Sequence, residues 1–167
     1  MDPVILKFIS EDDLSYEEQL LKDPTNEQLW LQYYEHKKAA TNANKQALIF
    51  LLYRGVNKLR NSVKLTMLYL NLLVSTIDND NKCTESIQQN ADAFSRASVN
   101  ISDQLELWLL FCSFLTKNVE YIDATFIRRQ FNTALQTLPI ADHAKIWPMF
   151  LKCAKQIGGP TMITVYL

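Results

Sequence analysis

An aromatic residue returns at the same place in this chain every 39 residues. The four aromatics that share this phase are Trp30, Tyr69, Trp108 and Trp147. The residues three positions after them are also apolar or aromatic: Tyr33, Leu72, Phe111 and Phe150. Offsets of three and four keep side chains on one face of an α-helix. A fixed period of this length, carrying one helical face each time, is typical of a solenoid built from repeated helix pairs.

The composition favours an all-helical chain without a cofactor. Only three glycines occur in 167 residues, and no alternating strand pattern is present. Phosphate-binding loops need closely spaced glycines. The composition therefore argues against both the Walker loop and the dinucleotide-binding fingerprint. The three cysteines form no CxxC pair, which argues against a zinc site. No apolar run is long enough to span a bilayer. We therefore expect no cofactor, no metal, no membrane segment and no small-molecule substrate.

Turn-forming residues divide the chain into an N-terminal segment and four repeats. Asp23-Pro24, Asn61-Ser62 and Pro139 each interrupt a helical pattern, because proline cannot continue a helix and asparagine favours turns. Residues 78–81 form a fourth breaker, inside repeat two. The predicted divisions are residues 1–24, which include a short helix, and repeats at 25–62, 63–101, 102–139 and 140–167.

The second helix of each of the first three repeats carries a small residue three positions after an apolar one. Gly55 follows Leu52, and the same spacing joins Phe94 to Ala97 and Phe131 to Ala134. A small side chain lets one helix approach its neighbour closely. We therefore take Gly55, Ala97 and Ala134 as structural repeat positions, together with the aromatic stripe. A stripe of this kind is more often core than ligand site, so we expect its side chains to be buried.

Repeat four is irregular. Pro148 falls inside the apolar pattern of its first helix, so this helix either starts late, with Pro148 in its first turn, or kinks. The second helix would follow Gly158-Gly159-Pro160, and the chain ends on apolar residues without a stop signal. We expect repeat four to be truncated and the natural protein to continue past residue 167.

Charge is unevenly distributed, and two interpretations remain open. Residues 1–35 hold nine acids against two lysines, whereas residues 36–77 hold seven bases and no acid. In one interpretation these segments are neighbours that offset each other's charge. In the other, Lys45, Arg54 and Lys58 belong to a basic ridge that contacts RNA phosphate or an acidic partner.

Arg128 and Arg129 form a second candidate contact. Adjacent residues point about 100° apart on a helix, so one of the pair can face solvent while the other lies along a groove. The alternatives are an arginine stem lying on the helix surface, an ion pair to the next repeat, or a contact with a partner protein. We favour the ion pair to the next repeat.

The aromatic first helix and small-residue second helix resemble the HAT (half-a-TPR) repeat of RNA-processing scaffolds. Several segments are similar to one family, the large HAT-repeat subunit of the NineTeen complex, called Syf-one in yeasts and XPA-binding protein in animals. The segments are residues 13–18 (DLSYEE), 30–33 (WLQY), 128–131 (RRQF), 138–140 (LPI) and 146–148 (IWP). The similarity extends over nearly the whole chain, and residues 128–150 are its most specific part.

The resemblance implies a right-handed superhelical solenoid of HAT helix pairs. It also implies that the protein is a scaffold and not an enzyme. The chain would be the N-terminal part of a nuclear arch that acts in pre-mRNA splicing. Its implied partners are other NineTeen proteins, including a crooked-neck-like HAT protein, with spliceosomal RNA contacted indirectly if at all.

Two other functions stay open on the sequence. One is a HAT scaffold of another machine, in polyadenylation or ribosomal RNA processing. The other is a TPR-like adaptor that holds an acidic peptide with Lys, Arg and Asn side chains. The aromatic and aliphatic faces of the first helices argue against the adaptor.

Overall fold

The computed structural model describes residue 3 and residues 7–40, 43–77 and 82–158. Within these residues the chain forms α-helices and two short 3-10 turns, Glu11–Asp13 and Val119–Tyr121, and no strand. The α-helices are α1 (Leu14–Lys22), α2 (Glu27–Ala39), α3 (Lys45–Lys58), α4 (Val63–Ser75), α5 (Thr84–Asn100), α6 (Leu105–Lys117), α7 (Ala124–Thr137) and α8 (Ile140–Ile157). The all-α prediction is confirmed.

Side-chain caps begin several of these helices. The Asn26 side chain accepts a hydrogen bond from the backbone N–H of Leu29 at the start of α2. The side chain of Asp123 caps α7 in the same way, accepting from Phe126 N–H at 3.1 Å. These contacts satisfy backbone donors that have no partner inside the helix.

The chain divides into two compact units, residues 1–72 and 73–167. In the first unit α2 packs on both α1 and α3, around a core that includes Trp30, Tyr33 and Leu52. In the second unit α6 packs on α5, α7 and α8. Trp108 and Phe111 of α6 are completely buried there.

Aromatic rings contact each other between successive helices within each unit. The first ring lies on α1, α3, α5 or α7, and the second lies on the helix that follows. Three pairs are close to parallel: Tyr16–Tyr33 at 5.0 Å and 3°, Phe94–Phe111 at 4.9 Å and 7°, and Phe131–Phe150 at 4.7 Å and 1°. The fourth, Tyr53–Tyr69, is tilted by 49° at 6.2 Å. Helix α1 therefore takes the place of a second helix ahead of α2.

Trp30 and Trp108 occupy equivalent positions. Each is the fourth residue of its helix and donates its indole N–H to a carbonyl six residues earlier. Trp30 donates to Pro24 at 2.9 Å, and Trp108 donates to Ser102 at 2.8 Å. The indole thus fastens the preceding turn to the first helix of the repeat.

Tyr69 does not occupy this position, so its predicted register is wrong by three residues. The fourth residue of α4 is Thr66, which is 1% exposed. Tyr69 is half-buried and contacts Tyr53, as Tyr33 contacts Tyr16. Tyr69 therefore corresponds to Tyr33, which lies three residues after Trp30. The sequence predicts Leu72 at that position, and Leu72 does not occupy it. The buried hydroxyl of Thr66 has no hydrogen-bond partner among the residues described.

Trp147 is the second correction to the aromatic stripe. Helix α8 begins at Ile140 and continues through Pro148, so the late start proposed for this helix is wrong. The buried face of α8 is formed by Ile146, Phe150, Cys153 and Ala154. Trp147 points about 100° away from Ile146 and is 39% exposed, so it is not a core residue. The predicted second helix of repeat four, in residues 159–167, lies outside the described residues.

The predicted small positions are all buried, and Gly55 lies at a close helix contact. A methyl group added at Gly55 would lie 3.3 Å from the Trp30 ring and 3.6 Å from the Leu65 side chain. Ala134 is completely buried, and Ala97 is 9% exposed. Larger side chains at these places would push neighbouring helices apart.

Replacing Trp108 with alanine should destabilise the protein far more than replacing Trp147. We expect Trp108→Ala to lower the free energy of unfolding by about 3–5 kcal/mol, because a fully buried indole leaves a cavity. Trp147→Ala should cost roughly half of that or less. Urea denaturation followed by circular dichroism measures both. Equal losses would show that the two tryptophans are packed alike.

Candidate functional site

Three side chains from three helices meet at the half-buried Glu17 carboxylate in the first unit. Arg54 of α3 donates two hydrogen bonds to Glu17 of α1, one to each carboxylate oxygen and both at 2.8 Å. The Tyr33 hydroxyl of α2 donates to Glu17 Oε1, also at 2.8 Å. The Arg54 guanidinium also lies 5.6 Å from the centroid of the Trp30 ring. This cluster ties α1, α2 and α3 together.

The cluster keeps Glu17 ionised. Burial alone raises the pKa of Glu17, but the hydrogen bonds from Arg54 and Tyr33 outweigh it and leave the pKa below its ordinary 4.5. The hydrogen bond to Glu17 raises the pKa of Arg54. Burial, together with the same carboxylate, raises the pKa of Tyr33 far above its ordinary range. A bidentate arginine–carboxylate pair with satisfied hydrogen bonds is a strong contact in a half-buried setting.

A second pair joins the N-terminal turn to α2. Lys37 forms an ion pair with Asp13, whose side chain is almost fully buried, and donates to the backbone carbonyl of Phe8 at 2.6 Å. Burial by itself raises the pKa of Asp13, yet the hydrogen bonds from Lys37 and from Ser10 N–H bring it below 3.8. The carboxylate is therefore held in its charged form.

These two pairs support the interpretation in which the acidic and basic segments offset each other. Glu17 and Asp13 come from the acidic segment, and Arg54 and Lys37 come from the basic one. The Arg54 guanidinium is already paired with Glu17 inside the first unit, so it is less available to a partner than the sequence predicts.

Lys45 and Lys58 do not form a single ridge with each other. Both are exposed, at the first and last positions of α3. A separation of 13 residues places them roughly 20 Å apart along the helix axis and on opposite sides of it. No one phosphate or carboxylate can bridge them, so each stays a separate candidate for contact with a partner.

Arg128 and Arg129 lie on α7, half-buried and exposed respectively. Neither side chain forms an ion pair within the part of the chain that the structure describes. The ion pair that we expected to the next repeat is therefore not found there. Contact with a partner stays a prediction for both residues.

Asn118 is a polar position that the sequence analysis missed. It ends α6 and is 4% exposed, yet its side-chain oxygen accepts no hydrogen bond in the described ranges. Asparagine is common at helix ends, so the sequence alone carried no signal of this burial. Asn118 lines a cavity of about 260 Å³ in the second unit.

No group of three or more His, Cys, Asp or Glu side chains in the described ranges could hold a metal ion. None of the described helices is long and apolar enough to cross a membrane.

Comparison with known proteins identifies the family. A family model described as the Pre-mRNA-splicing factor Syf1/CNRKL1 N-terminal HAT repeat matches residues 12–167. The chain belongs to this family. The resemblance to the Syf1 family is thereby confirmed over residues 12–167.

Several Syf1-family proteins are similar to this chain. Pre-mRNA-splicing factor SYF1 of Debaryomyces hansenii is 33% identical over 96% of the chain. Pre-mRNA-splicing factor cwf3 of Schizosaccharomyces pombe is 34% identical over 95% of it. Pre-mRNA-splicing factor SYF1 of Homo sapiens is 32% identical over 85% of it. The chain spans only 19%, 20% and 16% of these relatives, so it corresponds to a small part of each.

Neutralising Glu17 should weaken the protein at neutral pH and flatten its response to acid. Because the pKa of Glu17 is lowered by folding, its contribution is complete above pH 4.5 and is lost as the pH falls through the folded-state value. We expect Glu17→Gln to lower the free energy of unfolding by about 1–3 kcal/mol at pH 7. Its loss of stability between pH 5 and pH 3 should be smaller than that of the wild type.

Glu18→Gln is the matched control, because Glu18 is the exposed neighbour of Glu17. Urea denaturation across this pH range compares the three proteins. An acid response as steep in Glu17→Gln as in the wild type would contradict the assignment.

Proposed function

We propose that this chain is the N-terminal part of a non-enzymatic scaffold that acts in pre-mRNA splicing through protein–protein contacts. The supporting observation is the family match over residues 12–167, together with relatives that are named splicing factors. Residues 12–167 form a HAT-repeat portion of that scaffold.

The perturbed ionisable groups support a structural role. The pKa values of Glu17, Tyr33 and Arg54 are shifted because these side chains satisfy one another between α1, α2 and α3. Burial raises the pKa values of Cys112 and Cys153, which makes their thiols poor nucleophiles. The shifted pKa values of these side chains are therefore explained by how they pack within the fold.

We further propose four HAT repeats with bounds at residues 25–62, 63–101, 102–139 and 140–167, preceded by α1 as a half-repeat. Stacking of Tyr16 on Tyr33 supports the half-repeat, since it reproduces the contact that Phe131 makes with Phe150. The scaffold would act in the nucleus, with NineTeen proteins, including a crooked-neck-like HAT protein, as its partners. Spliceosomal RNA would be reached through those proteins.

The experiment that tests this function is affinity purification of the full-length protein, tagged at its own locus, from nuclear extract. We expect NineTeen subunits and spliceosomal RNAs to be recovered, and the protein partners to persist after ribonuclease treatment. An untagged strain is the control. Recovery of polyadenylation or ribosome-assembly factors in place of NineTeen subunits would overturn the splicing role while leaving the HAT fold intact.

A further inference from the structure

Three exposed cations follow one another at the turn between α3 and α4. Lys58 is the last residue of α3, Arg60 lies in the turn, and Lys64 is the second residue of α4. A backbone hydrogen bond from Ser62 N–H to the Leu59 carbonyl at 3.0 Å closes the turn. The three backbone positions therefore lie on the order of 10 Å from one another. We name these three cations the basic turn.

None of the three cations forms an ion pair within the part of the chain that the structure describes. The ion pairs found there use Lys37, Arg54 and Lys145 instead. The Glu27 carboxylate lies beside the turn, where it accepts a hydrogen bond from the Ser62 hydroxyl at 2.7 Å, and it pairs with none of the three. The positive charge of the basic turn therefore stays exposed to solvent.

Lys64 stands where a helix disfavours a positive charge. The first turn of a helix carries the positive end of the helix dipole, which stabilises acids and destabilises cations. Helix α4 has no acid in its first turn. Five other helices do, and these acids are Glu17 in α1, Glu27 in α2, Glu85 in α5, Glu106 in α6 and Asp142 in α8.

The fold gains nothing from this placement of Lys64. Its charge opposes the helix dipole and is repelled by the neighbouring charges of Lys58 and Arg60. A residue that breaks a local rule without a structural gain is expected at a functional position. The basic turn is therefore a candidate contact for a negatively charged ligand.

The basic turn lies at the ends of α3 and α4 that are remote from the neighbouring segments outside the described residues. Residues 41–42 precede α3 and residues 78–81 follow α4, so both join these helices at their other ends. With 14 and 13 residues, the two helices place those ends roughly 18–20 Å away. The two aspartates of residues 78–81 thus follow the far end of α4.

We propose that the basic turn binds a short acidic segment of a partner protein, whose carboxylates contact Lys58, Arg60 and Lys64. The ligand supplies the negative charge that the start of α4 lacks, and it relieves the repulsion among the three cations. This inference deepens the scaffold function, on which the choice of a protein partner rests. It assigns a chemical class of partner to a defined surface of the first unit.

A protein segment fits the basic turn better than RNA. Residues 57–64 contain no aromatic side chain on which a base could stack. The exposed ring of Tyr53, earlier on α3, already contacts Tyr69. Three cations contact only about three phosphates, which is too few for tight binding of RNA by charge alone. A few adjacent carboxylates of a peptide match the same span.

The test measures binding of a short fluorescein-labelled peptide with a run of glutamates to the full-length protein, by fluorescence anisotropy. The same peptide with glutamine in place of glutamate and a short oligouridylate are the comparison probes. Arg60→Glu/Lys64→Glu reverses the charge of the basic turn. Lys152→Glu/Lys155→Glu makes the same change at exposed positions near the C-terminal end of α8, where the helix dipole favours cations.

We expect the glutamate peptide to bind the wild type and the α8 variant alike, and the turn variant at least about tenfold more weakly. Raising the salt concentration should also weaken binding. The turn variant should nevertheless be more stable than the wild type, because it places an acid in the first turn of α4. Its midpoint of thermal unfolding, followed by circular dichroism, should rise by about 1–4 °C, whereas that of the α8 variant should fall. A loss of binding together with a gain in stability is not an effect of misfolding.

Several results would overturn the proposal. The glutamate peptide might fail to bind the wild type, or the glutamine peptide bind equally well. Equal weakening in the α8 variant would show that only net charge matters, and a lower unfolding midpoint in the turn variant would show that its cations are structural. Binding of the oligouridylate without binding of the peptide would identify an RNA contact instead. None of these results changes which proteins are recovered from nuclear extract, so the splicing role is tested separately.

Discussion

Ring stacking between successive helices is the contact on which the rest of this structure depends. Stacked rings join α1 to α2, α5 to α6 and α7 to α8, and a tilted contact between Tyr53 and Tyr69 joins α3 to α4 at the matching place. Offset stacked rings bury a large area and prefer a narrow range of geometries, so they fix both the distance and the rotation of the helices. Small residues then become necessary at close approaches, such as Gly55 beside Trp30. The indole hydrogen bonds of Trp30 and Trp108 hold the preceding turns in place.

In the first unit an ion pair stabilises the packing of α1, the first helix of the chain. Helix α1 is short, and Leu20 is its buried residue. The ion pair between Glu17 and Arg54 adds to this small apolar contact. It connects α1 directly with α3, and the Tyr33 hydroxyl of α2 donates to the same carboxylate. Pairing within the unit uses up Arg54, so the basic segment presents less charge to a partner than its sequence indicates. The basic groups that remain exposed on α3 are spread along the helix and around it.

The sequence predicts the fold class and the family but leaves parts of the register and the site open. The 39-residue phase held for Trp30 and Trp108, which are 3% and 0% exposed. The same phase is wrong at Tyr69. Residues 65–74 are apolar on nearly every side of the helix, so the hydrophobic periodicity fits more than one register. Trp147 is exposed because α8 begins seven residues before it and turns Ile146 and Phe150 inward. The pairing of Arg54 and the burial of Asn118 depend on tertiary contacts, which no local pattern encodes.

A double-mutant cycle on Phe131 and Phe150 tests most directly the claim that stacking joins successive helices. Both rings are buried, and they are parallel to within 1° at 4.7 Å. The free energy of unfolding would be measured for Phe131→Leu, Phe150→Leu and the double variant. Direct stacking predicts that the losses are not additive, with a coupling of about 0.5–1.5 kcal/mol. Additive losses would contradict this account and would show that each ring only fills space.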